Sequence, residues 1–214
     1  MRSFTSPTFT HDKLDLPLYK DMVDVFEDRI LYWLLSPAKK LLSVRHGSVA
    51  AVALATSYIE AIEMYISGTD SKGKSEAFFR RGYKRIFAPV SGPTYMQDAI
   101  ASALYQRLRC GFMHDAMFRA GIYFSGARKE AITITWPKKN GKFNPEGQLE
   151  SAVINPRRFV DCIDVHFTEY MKELRARKPN EAQEKFRSAV AVKWSLAGPD
   201  SLVGMTEEQF ASGV

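Results

Sequence analysis

The sequence predicts a mainly α-helical bundle that carries one small antiparallel β-hairpin. Through most of the 214-residue chain, apolar side chains recur at intervals of three and four residues, which places them along one face of a helix. The segment 131–136 instead alternates apolar and polar residues, as a strand with one buried face does. Since 45% of the residues are apolar, the chain is long enough to bury one substantial core.

Three helices are predicted in the first half of the chain. Residues 18–36 form the first, and Pro37 should kink or stop it because proline lacks the amide hydrogen that a helix interior needs. The apolar stripe of this helix consists of Val23, Phe26, Ile30, Trp33 and Leu34. Residues 48–67 are rich in alanine and form the most apolar segment, so we expect the central helix there. Residues 76–89 predict a shorter helix with aromatic side chains in the core and basic side chains on its surface.

The second half predicts the hairpin between two further helices. A helix begins near residue 95, and a long helix follows Asn155-Pro156, because proline favours the first helical position. Between these helices, residues 131–136 pair with residues 149–154 around a polar loop that is rich in Gly, Pro and Asn. A last, weaker helix covers residues 181–194.

The predicted organisation is an arm, a bundle and a tail. Residues 1–17 show no periodicity and form an N-terminal arm, either loose or pinned by Phe4 and Phe9. Residues 18–175 form the bundle, which includes the hairpin at residues 131–154. Residues 176–214 form a C-terminal helix and a tail that we expect to bind a partner or a second copy of the chain.

Charge and cysteine content narrow the function classes. The chain has 30 Lys and Arg against 24 Asp and Glu, a net charge that is compatible with a polyanionic partner and equally with a solvated basic surface. Its two cysteines, Cys110 and Cys162, have no spacing typical of a disulfide scaffold or a zinc site. We find no signal-peptide pattern and no long uninterrupted apolar run, so we expect a soluble cytoplasmic protein without a bound metal, a cofactor or a membrane anchor.

The candidate chemical site follows the helix that begins near residue 95. Its apolar stripe leads directly to Arg107, Arg109 and His114. A guanidinium group matches the oxygens of a phosphate, and an imidazole exchanges a proton near neutral pH. Arg109 and His114 are five residues apart and differ by roughly 140° around an unbroken helix, so they meet only if the helix bends or ends near Gly111. Arg107 is seven residues before His114 and shares its helix face, so both arginines remain candidates.

Carboxylates form the second part of the candidate site. Glu60 and Glu63 lie three residues apart on one face of the apolar central helix. Such a pair needs a cationic partner, for which Arg109 or Arg107 is the natural choice, or else an exposed edge where both side chains reach water. Asp115 follows His114 directly and offers a simpler alternative, in which the two residues form a hydrogen-bonded pair that ends the helix.

Residues 109–114 resemble the R-x4-H motif of the HEPN superfamily. The context is similar too, with an earlier acidic helix carrying Glu60 or Glu63 and a later long helix, so the resemblance covers residues 18–175. The position after the motif arginine is often polar in active members and is Cys110 here. The resemblance implies an up-and-down HEPN-like helical bundle that works as a homodimer in toxin–antitoxin or antiviral-defence systems, beside an antitoxin or defence-system protein.

The chemistry that this resemblance implies is metal-independent RNA cleavage. The ribose 2′-hydroxyl attacks the adjacent phosphate, His114 serves as general acid or base, and Arg109 stabilises the charge that develops on phosphorus. Glu60, Glu63, Arg107 and Asp115 would support these two residues. Two alternatives stay open: a catalytically inactive HEPN-like module that binds nucleotide, RNA or protein, and a purely structural helical protein whose ion pairs are internal.

Overall fold

The computed structural model describes residues 5–87, 94–144 and 148–194, and in this part the chain is mainly helical, which confirms the predicted class. The helices are α1 (Tyr19–Arg29), α2 (Ser36–Leu41), α3 (Ser48–Ser67), α4 (Ser75–Ile86), α5 (Thr94–Leu104), α6 (Cys110–Asp115), α7 (Pro156–Leu174) and α8 (Glu181–Lys193). A π-helical turn, Ile30–Leu35, joins α1 to α2, and another, Tyr105–Arg109, joins α5 to α6. A short 3-10 helix, His11–Leu14, precedes α1.

Helix α3 is the centre of the fold, as its composition predicted. It packs against α2, α4, α7 and α8. Among the described helices, α3 alone has the length and composition that would allow a membrane crossing, but these contacts are typical of the core helix of a soluble protein. Gly82 of α4 permits the closest of the contacts, because a β-carbon there would lie 1.9 Å from the Ile59 carbonyl oxygen.

The first predicted helix continues past Pro37 instead of ending there. The π turn before α2 forms hydrogen bonds between residues five apart, including the one from the Ser36 amide to the Leu31 carbonyl. Pro37 then lies in the first turn of α2, where its missing amide hydrogen is not needed. The extra residue in the π turn also rotates the apolar stripe. Trp33, predicted to be buried, is therefore 52% exposed, while Leu35 enters the core.

The β-structure contains the predicted antiparallel pair and more. Strands β2 (Ile132–Thr135) and β5 (Ser151–Ile154) pair as predicted, with Ile132 opposite Ile154. A third strand, β1 (Ile122–Phe124), adds to β5 in parallel and completes a sheet of order β1-β5-β2. Inside the predicted loop, β3 (Lys138–Lys139) and β4 (Lys142–Phe143) form a separate two-stranded ribbon.

Both ends of the described chain pack on the bundle. The arm is pinned by polar contacts instead of by Phe9 alone: Asp28 accepts hydrogen bonds from the Thr8 amide and hydroxyl, each at 2.9 Å. At the other end, Phe186 of α8 is fully buried and its ring centroid lies 5.1 Å from that of Phe26. Phe4 and the predicted partner-binding tail after Trp194 lie outside the described residues.

Candidate functional site

Arg109 and Glu60 form the ion pair around which the candidate site is built. Arg109 ends the π turn between α5 and α6, and its Nη2 lies 3.1 Å from Glu60 Oε2 on α3. Glu60 also accepts hydrogen bonds from the hydroxyl groups of Ser71, at 2.9 Å, and Ser75, at 2.6 Å. Of the two arginines that the sequence left open as its partner, Arg109 is therefore the one that reaches Glu60. The carboxylate in turn holds the guanidinium in place.

The Arg109 guanidinium lies at an open cavity of about 240 Å³ between α3 and α6. Its Nε and Nη1 have no hydrogen-bond partner among the residues that the structure describes, so they remain available to an anion. The remaining wall is mostly apolar and is formed by Ala53, Thr56, Ser57, Ala61, Met64, Leu108, Phe112 and Met113. A cavity of this character suits a small anionic group that is attached to an apolar or aromatic one.

Glu63 does not belong to this cluster, although the sequence grouped it with Glu60. Its side chain is 1% exposed and lies between Arg81 Nε, at 2.7 Å, and Arg85 Nε, at 2.6 Å. Both the expected pairing with Arg107 or Arg109 and the expected exposed edge are thus wrong for Glu63. The reason is the crossing of α4 over α3, which brings the arginines of α4 to Glu63 and leaves Glu60 to the π turn.

The basic face of α4 is largely neutralised inside the fold. Arg81 and Arg85 pair with Glu63, and Asp98 of α5 takes the other two cations, Arg80 at 3.0 Å and Lys84 at 2.9 Å. The guanidinium of Arg81 also lies over the ring of Phe78, at 4.4 Å from its centroid. This face therefore stabilises the contact between α3, α4 and α5.

Arg107 connects the π turn before α6 to the sheet instead of facing His114. Its Nη1 donates to the Glu150 carbonyl at 3.2 Å, directly before β5. Gly121 has φ 89°, and a β-carbon there would lie 2.8 Å from the same Glu150 carbonyl oxygen, so this position requires glycine. The Arg107 carbonyl accepts the Arg119 amide at 2.9 Å, which fastens the returning chain to the π turn.

His114 is exposed on α6 and forms no hydrogen bond or ion pair with any described residue. Asp115 pairs with Arg119 at 2.8 Å, so the predicted hydrogen-bonded pair between Asp115 and His114 is wrong. The helix ends instead at Ala116, which adopts a left-handed conformation with φ 55°.

The two motif residues point to different sides of one chain. The helix is unbroken from Arg109 to Asp115, which separates Arg109 and His114 by about 140° around its axis. The cavity at Arg109 accordingly does not include His114. Gly111 is not a break: a β-carbon there would meet the Met117 carbonyl oxygen at 2.8 Å, so glycine makes room for the chain that folds back over α6.

Exposed apolar side chains form a patch on α6 and in the residues that follow it. Its members are Phe112, Met113 and Met117, of which Met113 is 63% and Met117 is 70% exposed. Behind them, the ring of Phe118 lies 5.6 Å from that of Phe112. Apolar side chains gathered on one helix end are typical of a surface that another molecule covers.

Cys110, at the position that departs from the HEPN pattern, points away from the cavity side of Arg109. It is buried and lies within hydrogen-bonding reach of the Tyr105 hydroxyl. Burial raises the pKa of Tyr105; the neighbouring Cys110 raises it further, whereas Ser75 and Arg109 lower it. Cys110 and Gly111 are both buried, and the exposed surface of α6 begins at Phe112, the third residue after Arg109.

Three residues of the site were missed in the sequence. Ser71 and Ser75 lie beyond a loop from Glu60, and Tyr105 lies on the π turn, with its ring centroid 5.6 Å from the Arg109 guanidinium. No local pattern indicates the contacts of the two serines with Glu60, because only the tertiary fold brings those residues together, whereas Tyr105 and Arg109 are four residues apart and are neighbours along one helix. In the described part of the chain, no three His, Cys, Asp or Glu side chains gather in a way that could hold a metal ion.

Comparisons with protein-family models, with curated proteins and with solved structures find no match to this chain. The assignment of a function therefore depends on the chemistry and positions of the site residues themselves.

Proposed function

We propose that the protein is a metal-independent endoribonuclease of the HEPN type, whose active site is shared by two copies of the chain. One observation supports this best: Arg109 has two nitrogens without a partner among the described residues at an open cavity, and His114, exposed and likewise without a described partner, follows five residues later. A phosphate-binding group and a proton-transferring group are thus both present on the accessible surface of one helix.

The helix geometry supports a role for a second copy of the chain. Because about 140° separates Arg109 from His114 around the axis, one chain does not present both groups to one phosphate. In a two-fold dimer, each surface meets its own copy, so two α6 helices that pack by their apolar patches bring His114 of one chain towards Arg109 of the other. The patch is then covered, and two equivalent composite sites form.

The reaction in such a composite site is a phosphoryl transfer within the RNA. The 2′-hydroxyl attacks the adjacent phosphorus while a base accepts its proton, and the 5′-oxygen leaves with a proton from an acid. His114 supplies one of these proton transfers, because an imidazole can donate a proton as well as accept one. Arg109 Nε and Nη1 bind the non-bridging oxygens as their charge increases.

Glu60 acts on this reaction through Arg109. The ion pair at 3.1 Å, together with the two serine hydroxyl groups, fixes the carboxylate and therefore the guanidinium. An arginine that is held in advance loses little conformational entropy when the phosphate binds. Glu60 is a positioning residue in this account. The cellular setting that the resemblance implies, a cytoplasmic toxin or antiviral-defence component with an antitoxin or defence partner, is part of the same proposal.

A second candidate function is a catalytically inactive HEPN-like module that binds nucleotide, RNA or a protein. It is favoured by the same observation that calls for a dimer, because one chain alone keeps Arg109 in the cavity and His114 outside it. In this case, the cavity binds an anionic group and the apolar patch binds a protein.

RNA cleavage by matched variants distinguishes the two functions. We expect the wild type, in the presence of EDTA, to cut a fluorescent single-stranded RNA and leave a 2′,3′-cyclic phosphate. His114→Ala should lose activity by about 100-fold or more, because general acid–base catalysis contributes at least that much. Arg109→Gln should lose a similar factor, since it removes the charge that stabilises the transition state. His11→Ala, which removes another exposed histidine, is the control and should retain full activity.

Two results decide against the nuclease. Cleavage that is unchanged in His114→Ala removes this residue from the mechanism. A wild type that binds RNA in a salt-dependent manner without cutting it shows the binding module instead.

A further inference from the structure

The ribbon of β3 and β4, which the sequence suggested was only a polar loop, is a small rigid unit on the surface. Asn140 and Gly141 connect its strands with φ values of 53° and 77°, as in the tight turns that suit the twist of a hairpin. The Asn144 amide donates to the Pro137 carbonyl at 2.8 Å and closes its base. We call residues 138–143 the lysine ribbon.

The lysine ribbon concentrates positive charge without internal compensation. Lys139 lies directly opposite Lys142, and Lys138 lies opposite Phe143. None of the three lysines forms a salt bridge with a residue in the described ranges. Like charges directly opposite each other destabilise a two-stranded ribbon, and all six residues of this one are exposed. The arrangement costs stability and is therefore better explained by a polyanion that binds there.

An aromatic ring accompanies the lysines. Phe143 is 64% exposed, and Lys138 Nζ lies 5.5 Å from its ring centroid. An exposed ring of this kind contributes nothing to the core, but it offers a flat face on which an unpaired base can stack. Lysines and one aromatic side chain on the same short ribbon match the two parts of a single-stranded nucleic acid.

The base of the lysine ribbon is linked by hydrogen bonds to the π turn that carries Arg107. The ribbon leaves β2 at Thr135 and returns to β5 after Glu150, and the Glu150 amide donates to the Thr135 carbonyl at 3.0 Å. Arg107 on the π turn donates to the carbonyl of that same Glu150. Trp136, 7% exposed, and Leu149, 4% exposed, anchor the ribbon in the core. From this base, its tip reaches about 10 Å, given the rise of a strand.

We infer that the lysine ribbon binds single-stranded RNA, with its lysines on the phosphates and Phe143 against an unpaired base. This inference rests on the proposed function, because it names the strand that the nuclease would cut. The ribbon contacts the backbone and the base face, and neither contact requires the ribose 2′-hydroxyl. Single-stranded DNA, which this mechanism does not cleave, therefore reports on ribbon binding separately from cleavage.

The test measures how tightly the protein binds a fluorescent 20-nucleotide single strand, with and without substitutions in the ribbon. Binding of DNA is measured in the wild-type background. Binding of RNA is measured in the His114→Ala background. Lys139→Gln/Lys142→Gln should weaken binding and reduce the slope of log affinity against log salt by about 1.4, given about 0.7 for each phosphate contact on a single strand. Phe143→Ala should weaken binding by about tenfold at all salt concentrations. The control is Arg177→Gln/Lys178→Gln, two exposed cations beyond the end of α7 that is remote from the sheet.

Thermal unfolding separates loss of binding from loss of structure. Because the lysine substitutions remove a like-charged pair, they should leave the melting temperature unchanged or raise it. The inference is overturned if the ribbon variants bind as tightly as the wild type, or if the Arg177 and Lys178 substitutions weaken binding as much. It is also overturned if the wild type ignores both oligonucleotides, or binds vesicles of anionic phospholipid in preference to them.

If the ribbon variants lose DNA binding while the wild type proves unable to cut RNA, the ribbon inference stands and the nuclease proposal fails. If the wild type cuts RNA and the ribbon variants cut and bind as well as the wild type does, the nuclease proposal stands and the ribbon inference fails.

Discussion

Glu60 and Glu63 show how two identical residues, one turn apart, take different roles. Glu60 is 17% exposed and lies at the rim of a cavity, where it forms an ion pair with Arg109 and accepts hydrogen bonds from two hydroxyl groups. Glu63 is buried and receives the Nε groups of Arg81 and Arg85. An unpaired buried carboxylate is costly, so Glu63 fixes α4 on α3. Only Glu60 lies where its partner can also bind a ligand.

His166 is the titratable group whose contribution to stability is best defined. It lies half-buried on α7, and its Nδ1 is 3.0 Å from the hydroxyl oxygen of the fully buried Tyr58. Burial lowers the pKa of His166 to about 4; the nearby Arg85 lowers it further, and Glu63 opposes the change. The imidazole is therefore neutral at pH 7 in the folded protein.

This lowered pKa predicts that stability falls on acidification before the carboxylates titrate. Below the ordinary histidine pKa of about 6.5, the unfolded chain binds a proton that the folded protein excludes. The contribution of His166 is thus complete at neutral pH and is lost between about pH 6.5 and about pH 4. Urea unfolding at pH 7 and pH 5 should show a larger loss of unfolding free energy in the wild type than in His166→Gln. Equal losses would contradict the assignment.

At the scale of the elements, the 3.6-residue period predicted each helix wherever the period was uninterrupted. The central helix has the predicted bounds, Ser48–Ser67, and the long helix begins at Pro156 as its Asn-Pro start indicated. The period failed at the two π turns, because an extra residue shifts every later side chain around the axis. That shift exposes Trp33, and the second π turn ends at Arg109, the first residue of the motif.

The strands were predictable in proportion to their length. Alternation identified the β2 and β5 pair, each of four residues, whereas β1 has three residues and a partner in a distant segment. The Asn140-Gly141 turn was visible in the sequence, but lysines on either side suggested a solvated loop. For the site, acid and base types predicted that Arg107 or Arg109 would pair with Glu60 and Glu63, and the structure shows one such pair, Arg109 with Glu60. The partners of Glu63 were not predicted, because the cations of α4 looked like an exposed face.

Substitution of Gly82 in α4 tests how closely α3 and α4 must approach each other. A β-carbon at Gly82 would lie 1.9 Å from the Ile59 carbonyl oxygen, a backbone atom that cannot move away cheaply. Gly82→Ala should therefore lower the free energy of unfolding by about 2 kcal/mol or more, although alanine favours a helix. Gly126→Ala, where a β-carbon meets nothing within 4 Å, is the matched control and should change it by less than about 0.5 kcal/mol. Denaturant unfolding of both variants makes the comparison, and equal stability would refute the close contact.

At the scale of the whole molecule, the described part of the fold presents three exposed features. They are the cavity of Arg109, the apolar patch of Phe112, Met113 and Met117, and the lysine ribbon. Each feature suits a different kind of group: the cavity suits an anion, the apolar patch suits another apolar surface, and the lysine ribbon suits a polyanionic strand. A dimer of this chain bound to single-stranded RNA satisfies all three requirements with only two kinds of molecule.

The central claim is that Arg109 of one chain and His114 of another form one active site. Co-expression of Arg109→Gln and His114→Ala chains with different affinity tags allows the mixed dimer to be purified by two successive tag selections. In a two-fold dimer, each site combines Arg109 of one chain with His114 of the other. In the mixed dimer, both substitutions therefore fall in the same site. The mixed dimer therefore contains one site with both residues and one site with neither.

The decisive measurement is the RNA-cleavage rate of this mixed dimer against that of its two parents. We expect about half of the wild-type rate per dimer, since one of two equivalent sites is intact, and a rate near background for each parent homodimer. A mixed dimer that is as inactive as its parents, or the isolation of single chains alone, would show that the two groups do not meet between copies and would contradict the account.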